Sequence, residues 1–247
     1  MRILAIDTAT ENCSAALLIG ARILARESVF ERGHAEHLLP MVDELLAEAG
    51  VTLAALSAIA FGRGPGAFTG VRLAASVTQG LAFGAGLPVV PISDLRALAQ
   101  RVLESEPTSE RVLVCSDARL HEVYWGCFTR AADGLAAAVG DEQVGEPGRV
   151  RLPEDWYGTA HAQARNAAAV PAAPRLCAAG SGFAAYPRLC ATVAAGAHRV
   201  LPELLPRARE IATLAAAEVA AGRVRPPEEA LPVYLREDVT RPACASH

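Results

Sequence analysis

Apolar and polar positions along the first hundred residues alternate between short continuous runs and helical spacing, and that alternation predicts most of the elements. "RILAID", short, apolar and ending on an acid, reads as a buried strand. "CSAALLIG" and "ARILARESV" follow it, separated by a turn around Gly20, and predict an antiparallel three-strand start. In "HAEHLLPMVDELLAEAG" the period changes: Leu38, Val42, Leu45 and Ala49 share one helical face, and Gly50 supplies a C-terminal stop. Pro40 either lies near the first turn of this helix or kinks it. "LSAIAFG" is the next strand, and after a glycine-rich stretch Thr69 is placed to cap the helix "GVRLAASVTQGLAFG". "LPVVPI" is a further strand, and Ser93 can cap "DLRALAQRVLES". Three strands followed by helix, strand, helix, strand and helix predict a mixed sheet covered on both faces.

"EPTSE", Glu106 to Glu110, is a polar break and the expected domain boundary. After it "RVLVCSDA" and "EVYWGCFTR" read as paired strands that begin a second sheet. Between Ala131 and Pro174 the pattern dissolves into Ala, Gly and Pro, and no element is predicted there. "RLCAAGSGFAAYP" returns to a strand and a glycine turn, "RAREIATLAAAEVAAGR" is a late amphipathic helix, and "PEEALPVYLREDVTRP" is a Pro-flanked tail.

Composition narrows the chemistry. All 23 basic residues are arginines, which removes Schiff-base lysines, lysine general bases and the phosphate-loop lysine from consideration. The net charge of −4 and the lack of a basic stripe argue against unaided nucleic-acid binding. The six cysteines are scattered with no C-x-x-C pair, which supports neither structural zinc nor a secreted disulfide framework. Asp7 comes too early for a signal-peptide apolar region, and no stretch approaches the roughly 18 apolar residues of a membrane helix. A cytoplasmic, reduced protein away from membranes is expected.

The stretch "AFGRGPGAFTGVRLAA", Ala60 to Ala75, holds four glycines between a strand and a helix. Such a turn fits phosphate binding at a helix N-terminus. Its spacing is neither G-x-G-x-x-G nor the phosphate-loop pattern, however, and the lysine is missing. The favoured reading is close backbone packing at Gly62, Gly64, Gly66 and Gly70. In the helix beyond, Val71, Leu73, Ala74, Ala75, Val77, Leu81, Ala82 and Phe83 cover most of the circumference, leaving Arg72, Ser76 and Gln79 as a polar stripe. A helix apolar nearly all round is buried on more than one side, either by its own domain or by a second polypeptide.

"GRGPGAFTGVR" closely resembles the glycine–proline–glycine–(Ser/Ala)–Phe–Thr–Gly–x–Arg signature of the bacterial TsaB (YeaZ) family, through Gly64, Pro65, Gly66, Phe68 and Gly70. "ILAIDTATENCSAAL", "HAEHLLPMVDELL", "DARLHEVYWG", "AAGSGFAAYP" and "PVYLRED" match in order and spacing, covering nearly everything except about residues 131–174. The resemblance implies an α/β fold of the actin/Hsp70/sugar-kinase (ASKHA) type, with two related halves each built on a mixed sheet flanked by helices. The halves are expected at 1–106, completed by the C-terminal helix and tail from about 205 to 247, and at 107–204. It also implies a role in making threonylcarbamoyladenosine beside the anticodon of tRNAs that read codons beginning with A. In that family the chain is not the transferase: it docks on a catalytic homologue, TsaD, and an ATPase, TsaE, joins the complex. ATP and a divalent metal then belong to the partner subunits, and the chain has no cofactor of its own. The lack of a basic stripe leaves tRNA held only indirectly, and the apolar helical surface would favour a homodimer when the chain is alone.

The residues depart from an active member of such a fold in three places. The first hairpin turn, "DTATEN", lacks the glycine that frees backbone amides to wrap a phosphate. The second, "SDARLHE", has Ala118 where a glycine would serve, and in "AGSGF" Ser181 takes the slot in which the family usually has Asp. Asp7, Thr8, Asp117, Gly180, Ser181 and Gly182 remain weak nucleotide-cleft candidates. Asp7 and Asp117 read as turn or cap formers ahead of water-mediated Mg²⁺ ligands. His34 and His37 stand three apart with no third ligand, so both are expected to face solvent, and no metal site is expected. No activated nucleophile supports a peptidase. Leu38, Val42, Leu45, Thr69, Val71, Arg72, Ala74, Ala75, Val77 and Leu81 are the expected partner interface, and no residue is expected to be catalytic. The rival expectation is an ATP-dependent small-molecule kinase or carbamoyl transferase of the same fold.

Overall fold

The computed structural model describes residues 1–30, 32–156 and 174–236. Strand β1 (Arg2–Asp7) is the centre of the first sheet. Its continuous apolar run reflects cover on both faces: Leu4 and Ile6 point one way, Ile3 and Ala5 the other, and all four are fully buried. Strands β2 (Asn12–Ile19) and β3 (Arg22–Val29) continue antiparallel on one side, turning at Gly20 in the left-handed region. Strands β4 (Ala58–Gly62) and β5 (Val89–Ile92) lie parallel on the other side, giving the order β3-β2-β1-β4-β5.

Helices α1 (His34–Ala49) and α2 (Phe68–Ala85) cover one face of that sheet. Helix α6 (Ala208–Ala220), from far along the chain, covers the other, with Ile211, Leu214 and Ala215 packed against Ile3, Ala5 and Ala16. Helix α1 runs through Pro40 and stops at Gly50, whose φ of 62° is one a glycine adopts at little cost. Helix α3 (Asp94–Ser105) starts as expected, with the Ser93 hydroxyl accepting the Arg96 N–H at 3.1 Å. Its Leu95, Leu98, Val102 and Leu103 pack with Val112, Val114 and Phe128 of the second sheet, so it is the layer between the two sheets.

The second sheet repeats the first. Strands β6 (Arg111–Asp117), β7 (Val123–Arg130) and β8 (Ala136–Gly145) are antiparallel neighbours, while β9 (Leu176–Ala179) and β10 (Arg199–Leu201) run parallel on the far side of β6. The order β10-β9-β6-β7-β8 is therefore the first sheet's order again. Two mixed five-stranded sheets of matching strand order, flanked by helices, form an α/β architecture of two related halves. Two short helices, α4 (Gly182–Ala185) and α5 (Arg188–Thr192), close the outer face.

Several elements differ from the sequence reading, β10 and the short helices α4 and α5 among them, since none of these is predicted. Strand β8 falls where no element is predicted: its alanines and glycines have little strand preference, only its two end residues are buried, and pairing with β7 imposes the conformation. Thr69 is not a helix cap. Helix α2 begins at Phe68 with Ala67 at the N-cap and no side-chain capping bond, because the backbone contact described next sets the start. None of the helices among the described residues is long and apolar enough to cross a membrane.

Candidate functional site

The glycine-rich loop joins β4 to α2, and what it touches is the chain's own backbone. The Ala67 N–H donates to the Ala9 carbonyl at 2.7 Å, and the Thr8 hydroxyl donates to the Gly70 carbonyl at 2.7 Å. A Cβ on Gly66 would collide with the Ala9 carbonyl oxygen, and one on Gly70 with the Thr8 carbonyl oxygen. Gly64 takes φ 101°, across a cis Gly64–Pro65 bond, with the Val233 carbonyl 2.9 Å from where a Cβ would stand. These glycines serve the close approach of three backbone segments: the first hairpin turn, the loop itself and the C-terminal tail. The residues present do not leave an open phosphate cradle against Gly66 or Gly70.

Beneath the loop lie two carboxyl groups. Asp7, at the end of β1, accepts the Ala9 N–H through Oδ1 at 2.8 Å, and Asp94, at the start of α3, accepts the Gly64 N–H through Oδ2 at 2.5 Å. Both residues are buried, and their carboxyl groups converge beside Gly62, where a Cβ would strike Asp94 Oδ1 and stand 3.0 Å from Asp7 Oδ1. Burial pushes Asp7 from the ordinary 3.8 up to about 6, partly offset by the Ala9 N–H, by the neighbouring Asp94 carboxyl and by His34. Burial and then the charge of Asp7 hold Asp94 well above the ordinary carboxylate range. Asp94 escapes the sequence reading because an acid one residue after a helix cap looks like an ordinary first-turn acid. One residue earlier, Ser93 bonds Glu142 on β8, and Glu142 pairs with Arg63 of the loop at 3.2 Å.

The expected partner interface divides by burial. Leu38, Val42 and Leu45 on α1, and Ala74 and Ala75 on α2, are buried in the chain's own core against β1, β2 and β4, and Val71 is buried beside Gly64. Their spacing marks the face that packs on the sheet and cannot meet a partner in this conformation. Thr69 and Arg72 are exposed, and Val77 and Leu81 are half-buried. The outer surface of α2 carries two residues the sequence reading left off the interface, Phe68 and Phe83, at 52% and 58% exposure. The C-terminal tail runs beside them, anchored where the Val233 N–H donates to the Arg63 carbonyl at 2.7 Å. Arg72 Nε donates to the Tyr234 hydroxyl at 2.6 Å, and its guanidinium lies 3.7 Å above the Phe68 ring. Leu231 and Tyr234, also largely exposed, extend this aromatic seam. Periodicity finds the core face and is silent on the seam, because Leu231 and Tyr234 reach α2 only through tertiary packing.

The remaining candidates sit apart from Asp7 and Thr8. Asp117, at the end of β6, accepts the Arg119 N–H at 2.9 Å and the Tyr186 hydroxyl at 3.3 Å, while its own N–H bonds the Ser181 hydroxyl at 3.0 Å. Gly180, at φ 110°, and Gly182 press on the Cys115 carbonyl, so this glycine turn too is filled by backbone. No hydrogen bond or ion pair joins this group to Asp7 or Thr8 among the described residues. Residues 119–121 all adopt left-handed backbone, with φ of 61°, 52° and 60°, at about 1–2 kcal/mol each for non-glycine residues. His121 is exposed in that turn. His34 is not the solvated residue expected: its Nε2 donates to the Thr10 carbonyl at 2.8 Å, while exposed His37 stacks on Phe30. Cys13 is a buried thiol, which burial pushes up to about 11. No cluster of three or more potential metal ligands occurs among the described residues.

Comparison with known proteins gives this geometry its relatives. The family model described as "TsaD: tRNA N6-adenosine threonylcarbamoyltransferase" matches residues 27–240. The "tRNA threonylcarbamoyladenosine biosynthesis protein TsaB" of Escherichia coli K12 is 36% identical, covering 97% of this chain and 96% of its own length. The protein of the same name from Haemophilus influenzae Rd is 38% identical over 97% of this chain and 95% of its own length. A crystal structure of a Pseudomonas aeruginosa protein described as similar to peptidase YeaZ superposes with a TM-score of 0.83 at 44% identity, covering 95% of this chain and 99% of that one. Identity of 36–44% with near-complete mutual coverage places this chain in the TsaB (YeaZ) family.

Proposed function

We propose that the chain is a non-catalytic subunit of the machinery that adds threonylcarbamoyl to the adenosine beside the anticodon of tRNAs reading codons that begin with A. In this reading it docks on a TsaD-like catalytic homologue, and a TsaE-like ATPase joins the pair. The single observation that carries it is the exposed seam of Phe68, Arg72, Phe83, Leu231 and Tyr234 along α2 and the tail. Aromatic side chains with an arginine among them, held in place by a hydrogen bond, make the anchor chemistry of protein interfaces. The proposed contact set is therefore Phe68, Thr69, Arg72, Phe83, Leu231 and Tyr234, with the half-buried Val77 and Leu81 at its edge, in place of the buried positions of the periodic face. The same seam would pair two copies when the catalytic partner is absent. ATP and its divalent metal belong to the partner subunits, tRNA is held mainly by them, and the complex works in the cytoplasm.

The experiment is a calorimetric titration of this chain with the TsaD-like homologue from the same cell, followed by a tRNA modification assay with and without this chain. Saturable binding and modification that depends on the chain support the reading. Absence of binding, with ATP turnover by the chain alone in Mg²⁺, overturns it in favour of an enzyme of the kinase kind.

A further inference from the structure

Asp7 and Asp94 are each left with one oxygen that nothing else in the protein serves. The Ala9 N–H takes Asp7 Oδ1 and the Gly64 N–H takes Asp94 Oδ2, which leaves Asp7 Oδ2 and Asp94 Oδ1 without a donor although both are buried. Two ionised carboxylates in contact, out of water, would repel each other and leave both of those oxygens unsatisfied. A single proton removes both defects, because the acid that carries it donates to the other.

We propose that Asp7 and Asp94 share one proton at neutral pH, and that the O–H···O bond it makes is the clasp fastening the Gly64–Gly66 loop to the end of β1. Through Asp7 the clasp reaches the 8–9 turn, and through Asp94 it reaches the Gly64 N–H and the start of α3. The groups around it leave the pair no better partner. His34 from α1 is bonded to the Thr10 carbonyl, Glu210 from α6 is bonded to Arg207, and Glu142 from β8 is bonded to Ser93 and Arg63. Cys13 from β2 is a neutral thiol. No lysine or arginine is hydrogen-bonded or ion-paired to either carboxyl among the described residues. The raised titration of both acids agrees with this arrangement. The clasp is a property of the chain alone and does not depend on any partner.

The test is carbon-13 NMR of the two aspartate carboxyl carbons from about pH 4 to pH 8, in the parent and in Asp7→Asn and Asp94→Asn. In the parent, one carboxyl of the pair remains protonated at pH 7. In either variant the asparagine oxygen still accepts the backbone N–H and its NH₂ replaces the shared proton. The fold is therefore kept, and the remaining acid titrates below its parental midpoint. The double asparagine variant sets two NH₂ groups against each other and melts lower than the sum of the single changes predicts. Both carboxyls fully ionised at pH 7, single variants that do not fold, an unmoved midpoint, or an additive double variant would each overturn the clasp.

Discussion

The Ala9 carbonyl accepts the Ala67 N–H at 2.7 Å, so the turn of the first hairpin fixes where helix α2 begins. That contact requires Gly66 and Gly70 to lack side chains, since a Cβ on either would overlap the carbonyl of Ala9 or Thr8. Gly66→Ala is therefore expected to destabilise the chain by about 1–3 kcal/mol, the scale of overpacking against a backbone that cannot give way. Thermal melting followed by circular dichroism checks it. Gly80→Ala, on the same helix with open space around it, supplies the control and should be neutral or stabilising.

The seam and the core face of α2 separate in a second pair of variants. Ala74 is fully buried against the sheet, and Ala74→Arg should unfold the first half of the chain. Phe83→Asp, at an exposed position, should leave the melting temperature nearly unchanged and weaken association with the TsaD-like partner at least about tenfold. Calorimetric titration beside a thermal melt reads both. A Phe83→Asp protein that binds like the parent would remove α2 from the interface.

Ser93 has two uses: it caps α3 by accepting the Arg96 N–H, and it donates to Glu142 on β8. Ser93→Ala removes both and should cost about 0.5–2 kcal/mol, the range for a lost N-cap. Ser93→Asp restores the cap acceptor but sets a second carboxylate beside Glu142. It should therefore be less stable than the alanine variant at neutral pH and recover as the pH falls. Urea denaturation at several pH values measures the difference.

Glu218 on α6 holds Arg223 and, across the layers, Arg96 of α3. Its bond to Arg223 comes first among the interactions that keep its carboxyl below the ordinary 4.5. A depressed carboxylate stabilises the fold above its ordinary value, and that stability is lost as the pH falls through the folded value. Glu218→Gln should thus lower the melting temperature at neutral pH and narrow its gap from the parent below about pH 4. Asp94→Asn should behave in the opposite sense. The parent's protonation advantage at Asp94 is complete below 3.8 and lost as the pH rises, whereas the asparagine keeps its donor throughout.

Much of the architecture is readable before any tertiary contact is known. "RILAID", "DLRALAQRVLES" and the helix ending at Gly50 appear within a residue or so of their predicted bounds, because hydrophobic period, a serine cap and a left-handed glycine act over one or two turns of chain. The glycine spacing of the loop, with no lysine to follow it, also points to packing ahead of phosphate. Other features needed the fold. Strand β8 exists because β7 offers it an edge, a relationship that its Ala–Gly composition does not encode locally. Leu38, Val42, Leu45, Ala74 and Ala75 look the same in sequence whether a sheet of the same chain or a second protein covers them. Only the packing against β1, β2 and β4 assigns them to the core. Asp94 becomes more than a first-turn acid only when α3 sets it against Asp7, 87 positions away in sequence, where burial raises the titration of both carboxyl groups. Local periodicity determined most of the elements. The long-range contacts, which carry no local signature, decided which surface is free and which pair of acids shares the interior.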